Sequence, residues 1–225
     1  MEAACNRNIK SFVLRSGRMS RAQEKSYETG GKFLIPYADH VIYFSQCFGN
    51  DRCLTVEIGF GMGRATADIA QANTDMNYLG IEVFRAGIGK LLWEIEQRSL
   101  SNIRIIEHDA VEVIEKMIEP MSVSAFHLFF PDPWPKKRHH KRRLVQKPFA
   151  ELLVSRLNSG GYIYMVSDWE DYAREALSVF SAVPELCNPC GDSFAQKFSW
   201  RPLTKFEKKG LDKNHPIREI YFVKK

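Results

Sequence analysis

From residue 53 the chain alternates short apolar, β-branched runs with longer segments of helical periodicity, and this alternation narrows the possible folds more than any other feature. "CLTVEIG" (53–59), "YLGIEV" (78–83), "IRIIEH" (103–108), "AFHLFF" (125–130) and "GYIYMVS" (161–167) read as buried strands. Residues 64–72, 84–99, 110–119, 145–157 and 169–182 read as the helices between or after them, and "DAVEVIEKM" begins with an Asp at the N-cap position. Strands and helices in strict alternation pack as a mostly parallel sheet covered on both faces, so the expected class is α/β, doubly wound. "FAQKF" and "EIYFVK" near the end are expected to add edge strands, one of them antiparallel. Residues 1–35 read as an N-terminal arm or small extension, and 36–225 as the domain proper.

Composition removes several other classes. At 44% hydrophobic and 26% charged, the chain can build an ordinary core and does not read as disordered. No apolar run approaches the ~18 residues of a membrane span. The start, "MEAACNRNIKSFVLRSGR", lacks an apolar block and a small-residue cleavage site, so a cytoplasmic protein without membrane attachment is expected. Five cysteines without framework spacing fit a reducing compartment. The pair Cys187 and Cys190 has no second Cys or His pair to complete a zinc site and reads as incidental, so no metal is expected.

"VEIGFGMGRAT" places Gly59, Gly61 and Gly63 between the first strand and first helix, where glycines let the backbone turn sharply and approach a ligand. Glu82 ends the next strand, at the position that binds a ribose diol in such folds, and Asp109 ends the third. A dinucleotide normally wants G-x-G-x-x-G/A, and here Arg64, Ala65 and Thr66 follow Gly63. Glu57 discriminates further. A carboxylate there would repel a pyrophosphate but attract the ammonium and sulfonium of S-adenosyl-L-methionine, directly or through water. Asp109 would accept from the adenine amine.

"LFFPDPWPKKRHHKRRLV" (128–145) ends the fourth strand. Pro131, Pro133 and Pro135 restrict the backbone around Asp132 and Trp134, so a rigid carboxylate is presented with little entropy to lose. The following residues 136–143 hold six Lys/Arg and no acid. Residues 1–32 hold seven against three, and 197–225 hold nine against three. These segments carry a surplus of +16 in a chain of net charge +5, so the remainder is acidic. Basic segments on an acidic body point to a polyanionic partner. Lys136, Arg138, Arg142 and Arg143 are expected to hold phosphates. His139 and His140 read as phosphate neighbours, with no carboxylate or cysteine at useful spacing for a metal.

Taken together, "VEIGFGMG", "LGIEV", "HDAVEVI", "LFFPDPWPKKRHHKRR", "SDWEDYA" and "RPLTKFEKKG" resemble the bacterial single-chain tRNA (guanine-N7-)-methyltransferases, as does "RSGRMSRAQ" near the start. The resemblance covers most of the chain. It implies a class I, Rossmann-like fold and transfer of a methyl group from S-adenosyl-L-methionine to N7 of the variable-loop guanosine, position 46, of tRNA. It implies that Glu57, Glu82, Asp109 and Asp132 are cofactor-site acids, with Asp132 also catalytic. By the same resemblance Lys136, Asp168 and the segment Thr204, Lys205, Phe206 and Glu207 bind substrate, and Arg138–Arg143 contacts RNA. No obligatory protein partner is inferred.

Several roles stay open at this point. Asp132 either positions the base or acts as a general base. Asp168 reads equally as a helix N-cap, Glu207 either grips the guanine edge or pairs with Lys205, and Trp134 either stacks on a base or packs internally. The alternative functions are a methyltransferase of another RNA and a degenerate RNA-binding protein.

Overall fold

The computed structural model describes residues 10–12, 17–212 and 215–225. Its strands are β1 (Leu54–Ile58), β2 (Asn77–Glu82), β3 (Ile103–Glu107), β4 (Val123–Phe129), β5 (Leu157–Ser167), β6 (Leu186–Cys187) and β7 (Arg218–Lys224). The helices are α1 (Arg21–Thr29), α2 (Phe44–Phe48), α3 (Arg64–Ala72), α4 (Arg85–Arg98), α5 (Ala110–Lys116), α6 (Lys147–Arg156), α7 (Glu170–Ser181) and α8 (Lys205–Asp212). One sheet contains all seven strands in the order β3-β2-β1-β4-β5-β7-β6. The first five strands run parallel, while β7 is antiparallel to both β5 and β6.

All five expected buried strands are present, and β1 is buried at every residue. Two apolar clusters cover the sheet. One gathers residues of α2, α5, α6 and α7, and the other residues of α3 and α4 with Tyr27 of α1 packed against it. Coverage of both faces explains why the strands lack alternating polarity. Chain order reverses between β1 and β4, and their carboxyl ends part there, which is where ligands bind in such sheets.

Two expectations at the C-terminal side need correction. "FAQKF" forms no strand and contributes only one antiparallel bridge, Ala195 to Glu219, while the outer strand is the short β6. Asp168 does not cap α7. The N-cap is Trp169, which makes no side-chain capping bond, and its amide donates to Ser167 Oγ at 3.2 Å. Asp109, in contrast, does cap α5, its Oδ1 accepting from the Val111 amide at 3.0 Å.

Of the segment 1–35, residues 1–9 and 13–16 lie outside the described residues, and the part from residue 17 packs on the domain. Ser20 and Gln23 form a reciprocal capping box at the start of α1. The Gln23 side chain donates to Ala86 O at 3.2 Å, and Ser26 Oγ donates to Glu96 of α4 at 3.3 Å. The Ile35 amide then donates to Ile105 O at 2.8 Å, tying the segment to β3.

Candidate active site

A cleft of about 340 Å³ lies over the carboxyl ends of β1, β2 and β4, within the size range of small-molecule sites. Its floor is Ile58, Gly59 and Gly61. One wall is Ile81, Glu82, Val83 and Phe84, and the other is Phe130, Pro131, Asp132 and Leu144. His108, Ala110, Ser11 and Phe12 also line it.

The loop after β1 owes its shape to three left-handed residues, with φ of 72° at Gly59, 57° at Gly61 and 67° at Gly63. Any other residue type would be strained at these angles. Glu82 fixes the loop from beside. Its Oε2 accepts from the Gly61 amide at 2.8 Å, and its Oε1 accepts from the Val83 and Phe84 amides at 2.7 and 3.1 Å. Burial raises the Glu82 carboxyl above its usual range, and these three amides oppose the rise. Behind the loop, Gly87 of α4 presses so closely on Gly61 that an added Cβ would fall well inside contact distance of the Gly61 carbonyl oxygen. Gly87→Ala is therefore expected to displace the loop at a cost of about 1–3 kcal/mol. Calorimetric titration should show cofactor affinity reduced by roughly tenfold or more.

Glu57 is 4% exposed and sits under the loop; it does not line the cleft. Burial pushes its carboxyl up to about 7, with the neighbouring Thr66 hydroxyl opposing the shift and the Glu82 charge adding to it. Asp109 flanks the cleft between His108 and Ala110, with one carboxylate oxygen committed to the α5 cap. Among the described residues no Lys or Arg lines the cleft, whereas Glu82 and Asp132 do. Apolar walls with acids and no cations suit a cationic, adenine-bearing ligand and disfavour a pyrophosphate. The residues present fit S-adenosyl-L-methionine.

Beyond the cleft's outer wall, the turn after β4 is unusually constrained. Phe130 and Trp134 both adopt positive φ, at 55° and 45°, which is costly for aromatic residues and concentrates strain on either side of Asp132. Asp132 is exposed, and its Oδ1 accepts from the Trp134 amide at 3.3 Å. The Trp134 indole is half-buried, donates from Nε1 to Ser11 O at 3.1 Å, and has the Arg142 guanidinium 4.9 Å from its ring centre. That environment is internal packing, so the indole is not a bare stacking platform.

After Trp134 the basic residues form a 3-10 helix, Lys137–Arg142. Lys136, Lys137, Arg138 and Lys141 are exposed and Arg142 is partly so. Arg143 requires a correction: its side chain is 1% exposed and is enclosed by protein, so it is not a phosphate ligand. Its Nη2 donates to Asp171 at 2.6 Å and its Nη1 to Glu175, both on α7. No carboxylate stands at useful sequence spacing from His140, but α7 brings two in from residues remote in the chain. Ligand atoms of His140, Asp171 and Glu175 lie within 4.8 Å of one another, and the Arg143 guanidinium already contacts all three.

Asp168 follows β5 and faces α8, where a Cβ added to Gly210 would stand 3.4 Å from its Oδ2. In α8 the side chains of Lys205 and Phe206 lie outside the described residues. Thr204 Oγ1 accepts from the Glu207 amide at 3.0 Å. Glu207 is 4% exposed and pairs with Arg201 (2.7 and 3.1 Å) and Lys197 (2.9 Å), an arrangement that neither guanine binding nor pairing with Lys205 had anticipated. Burial alone would raise its carboxyl, but these cations hold it below the usual range. Arg201 is fully buried, also donates to Glu219 at 2.6 Å and Tyr164 Oη at 3.1 Å, and stands 6.0 Å from the Phe129 ring centre. Neither Arg201 nor the cleft residues Phe84, His108, Phe130 and Leu144 were singled out from sequence. Position next to the glycine loop partner or at a strand end was the signal available for Phe84, His108 and Phe130. Leu144 and Arg201 had none, and apart from Glu207 the carboxylate and hydroxyl around Arg201 come from Glu219 and Tyr164, 18 and 37 residues away.

Comparison with known proteins agrees with this geometry. Residues 51–220 match the family model described as "Putative methyltransferase". The "tRNA (guanine-N(7)-)-methyltransferase" of Nitrosospira multiformis is 47% identical over 226 aligned residues, covering 100% of this chain and 98% of that protein. The protein of the same name from Paraburkholderia xenovorans is 47% identical, covering 100% and 86%, and that from Bordetella pertussis is 48% identical, covering 96% and 85%. Among solved structures, the 16S rRNA methyltransferase KamB superposes with a TM-score of 0.54 at 12% identity, covering 94% of this chain and 98% of that one. An rRNA methylase from Streptococcus thermophilus gives 0.52 at 14% identity, covering 92% and 99%. At such identities the solved structures establish the class I methyltransferase fold, and the near-full-length relatives establish more: the chain belongs to the tRNA (guanine-N7-)-methyltransferase family.

Proposed function

We propose that the protein transfers a methyl group from S-adenosyl-L-methionine to N7 of the variable-loop guanosine, position 46, of tRNA. One observation carries the reading: a cleft lined by acids, with no Lys or Arg among the described residues that line it, opens at Asp132, directly beside the largely exposed basic segment Lys136–Arg142. The first feature suits a cationic methyl donor and the second an RNA backbone. The names of the relatives favour tRNA over other RNAs.

S-adenosyl-L-methionine supplies, when bound, a methyl group on a cationic sulfur. Glu82 and the glycine loop hold the ribose side of the cleft, Asp109 lies toward the adenine, and Glu57 provides negative charge beneath the loop. Guanine N7 carries a free lone pair at neutral pH, so no proton needs to be removed from it. Asp132 then serves as a positioning and electrostatic group, accepting from the guanine N1–H and N2 amine and stabilising positive charge growing on the base. Asp168 and the Thr204–Glu207 segment bound the acceptor side, with Arg201 holding Glu207 from below. Lys136, Arg138 and Arg142 hold phosphates.

Glu57 gives the binding a pH dependence. Its carboxyl is raised to about 7, so in the free protein it is largely protonated below that pH, and a cationic ligand favours the ionised form. Cofactor affinity is expected to rise with pH from 5.5 through 7 and to level off above it. Glu57→Gln should bind more weakly and lose that rise, and titration calorimetry at pH 5.5, 6.5 and 7.5 reads both.

The acceptor is tested with methyl-labelled S-adenosyl-L-methionine and two unmodified tRNA transcripts, carrying G or A at position 46. Label on the G transcript alone is expected. Equal label on both would mean that the position is wrong, and cofactor binding without label on either would mean that the substrate is another RNA.

A further inference from the structure

Resting on the functional reading above, we propose that Arg143 is a positioning residue for the catalytic turn. It clamps the Pro131–Trp134 turn after β4 to α7 after β5, so that Asp132 is held in its working orientation.

Arg143 ends a run of six cations, yet its side chain is buried while Lys136, Lys137, Arg138 and Lys141 face solvent. Enclosing a guanidinium is costly unless charge and hydrogen bonds compensate. Both are present. Asp171 and Glu175, one turn apart on α7, take Nη2 and Nη1, and the ring of Tyr172 between them lies 5.0 Å from the guanidinium carbon. The Arg143 hydrogen bond holds the Asp171 carboxyl below its usual range. Tyr172 Oη also accepts from the Val145 amide at 3.1 Å, which fastens the chain two residues beyond the clamp.

The Nε donor points at the turn. Arg143 Nε donates to Pro133 O at 2.9 Å. With prolines at 131 and 133, the turn has lost two of the amides that would otherwise brace it from within, and Pro135 removes the next one. The Pro133 carbonyl belongs to the peptide leading into Trp134, whose φ of 45° is one of the strained angles. A charged donor on that carbonyl sets the plane of the peptide joining Pro133 to Trp134. Trp134 in turn presents its amide to Asp132 Oδ1. The far end of the clamp, α7, starts two residues after Asp168, so one guanidinium ties the turn bearing Asp132 to the strand end bearing Asp168.

A phosphate contact and a clamp give different kinetics. Arg143→Lys keeps the charge but loses the planar fork that serves Pro133, Asp171 and Glu175 at once. The clamp predicts that kcat falls by about 10–100-fold, since misplacement of a catalytic group by ~1 Å costs up to about 10²-fold. KM for tRNA, the salt dependence of tRNA binding and cofactor affinity should stay within about twofold of the native enzyme. Arg138→Ala is the phosphate comparison and should weaken binding while reducing the salt slope by about one. A raised KM with reduced salt slope in Arg143→Lys, or an unchanged kcat, overturns the proposal. Should Arg143→Lys fail to fold, Glu175→Gln decides: a lower kcat at unchanged KM supports the clamp, and an unchanged kcat overturns it. Hydrogen exchange of the Trp134 and Lys136–His139 amides, measured without RNA, separates this role from the functional reading. Faster exchange there but not in the sheet supports the clamp whatever the acceptor proves to be, and unaltered exchange overturns it.

Discussion

Asp132→Ala is expected to lower kcat for tRNA methylation by about 10²–10³-fold, the range observed when one preorganised group is removed from a site of developing charge. The substitution removes no core packing, because the carboxylate is exposed at a turn held by Pro131, Pro133 and the Arg143 bond to Pro133 O. Tm should therefore change little. Asp132→Asn separates the two roles considered for this group. If Asp132 positions the base and stabilises charge, the amide keeps the shape but loses the charge and the complementarity to two donors, and the defect should be nearly as large and independent of pH. A general base would instead leave the native enzyme with a rate that rises with pH through a carboxyl titration. Native turnover in correctly folded Asp132→Ala contradicts both roles.

Arg201→Met should have the largest effect on stability. Arg201 bridges Glu207 of α8, Glu219 of β7 and Tyr164 of β5, with none of its side chain exposed. Although burial opposes its charge, Glu207 and Glu219 push the guanidinium's pKa above its ordinary value. Removal leaves two buried carboxylates without a guanidinium, held by the Lys197 bond to Glu207 and the Tyr164 hydroxyl's bond to Glu219. Breaking a buried pair from one side costs about 3–5 kcal/mol. For a chain of this size that lowers Tm by roughly 6–20 °C, at about 2–4 °C per kcal/mol. Thermal melting followed by circular dichroism reads the effect. A Tm within about 2 °C of the native protein would mean that the network is not the structural centre of the 197–219 region.

What the chain makes legible follows the range of its interactions. The five parallel strands and their helices announce themselves through contiguous apolar runs, since burial on both faces removes polar alternation. The glycine loop and Glu82 are legible because their spacing is set by one β-α-β unit, and the Gly61–Glu82 bond joins the parts as that spacing implies. The capping box of Ser20 and Gln23 also stood in the sequence as Ser-x-x-Gln, yet α1 was read as arm because its face is mostly polar. Arg143 and Arg201 mark the limit. Each sits in a segment rich in cations, and partners 28 and 32 residues away for Arg143, or 18 and 37 residues away for Arg201, help to enclose it. Charge runs report a face, whereas the one member that turns inward is decided by α7 or β7. Asp168 illustrates the converse: a plausible local cap is absent because α7 begins one residue later, with Trp169 at the N-cap position, and the Asp168 side chain faces Gly210 of α8.

The measurement that tests the central claim most directly concerns the acceptor atom. The tRNA transcript with G at position 46 is methylated by the purified protein, then treated with mild borohydride and aniline, which cut the chain at N7-methylguanosine. Scission at position 46 that requires both the protein and S-adenosyl-L-methionine is the predicted result. Methyl label retained on an uncut chain would contradict the account, because transfer would then have gone to an atom other than guanine N7.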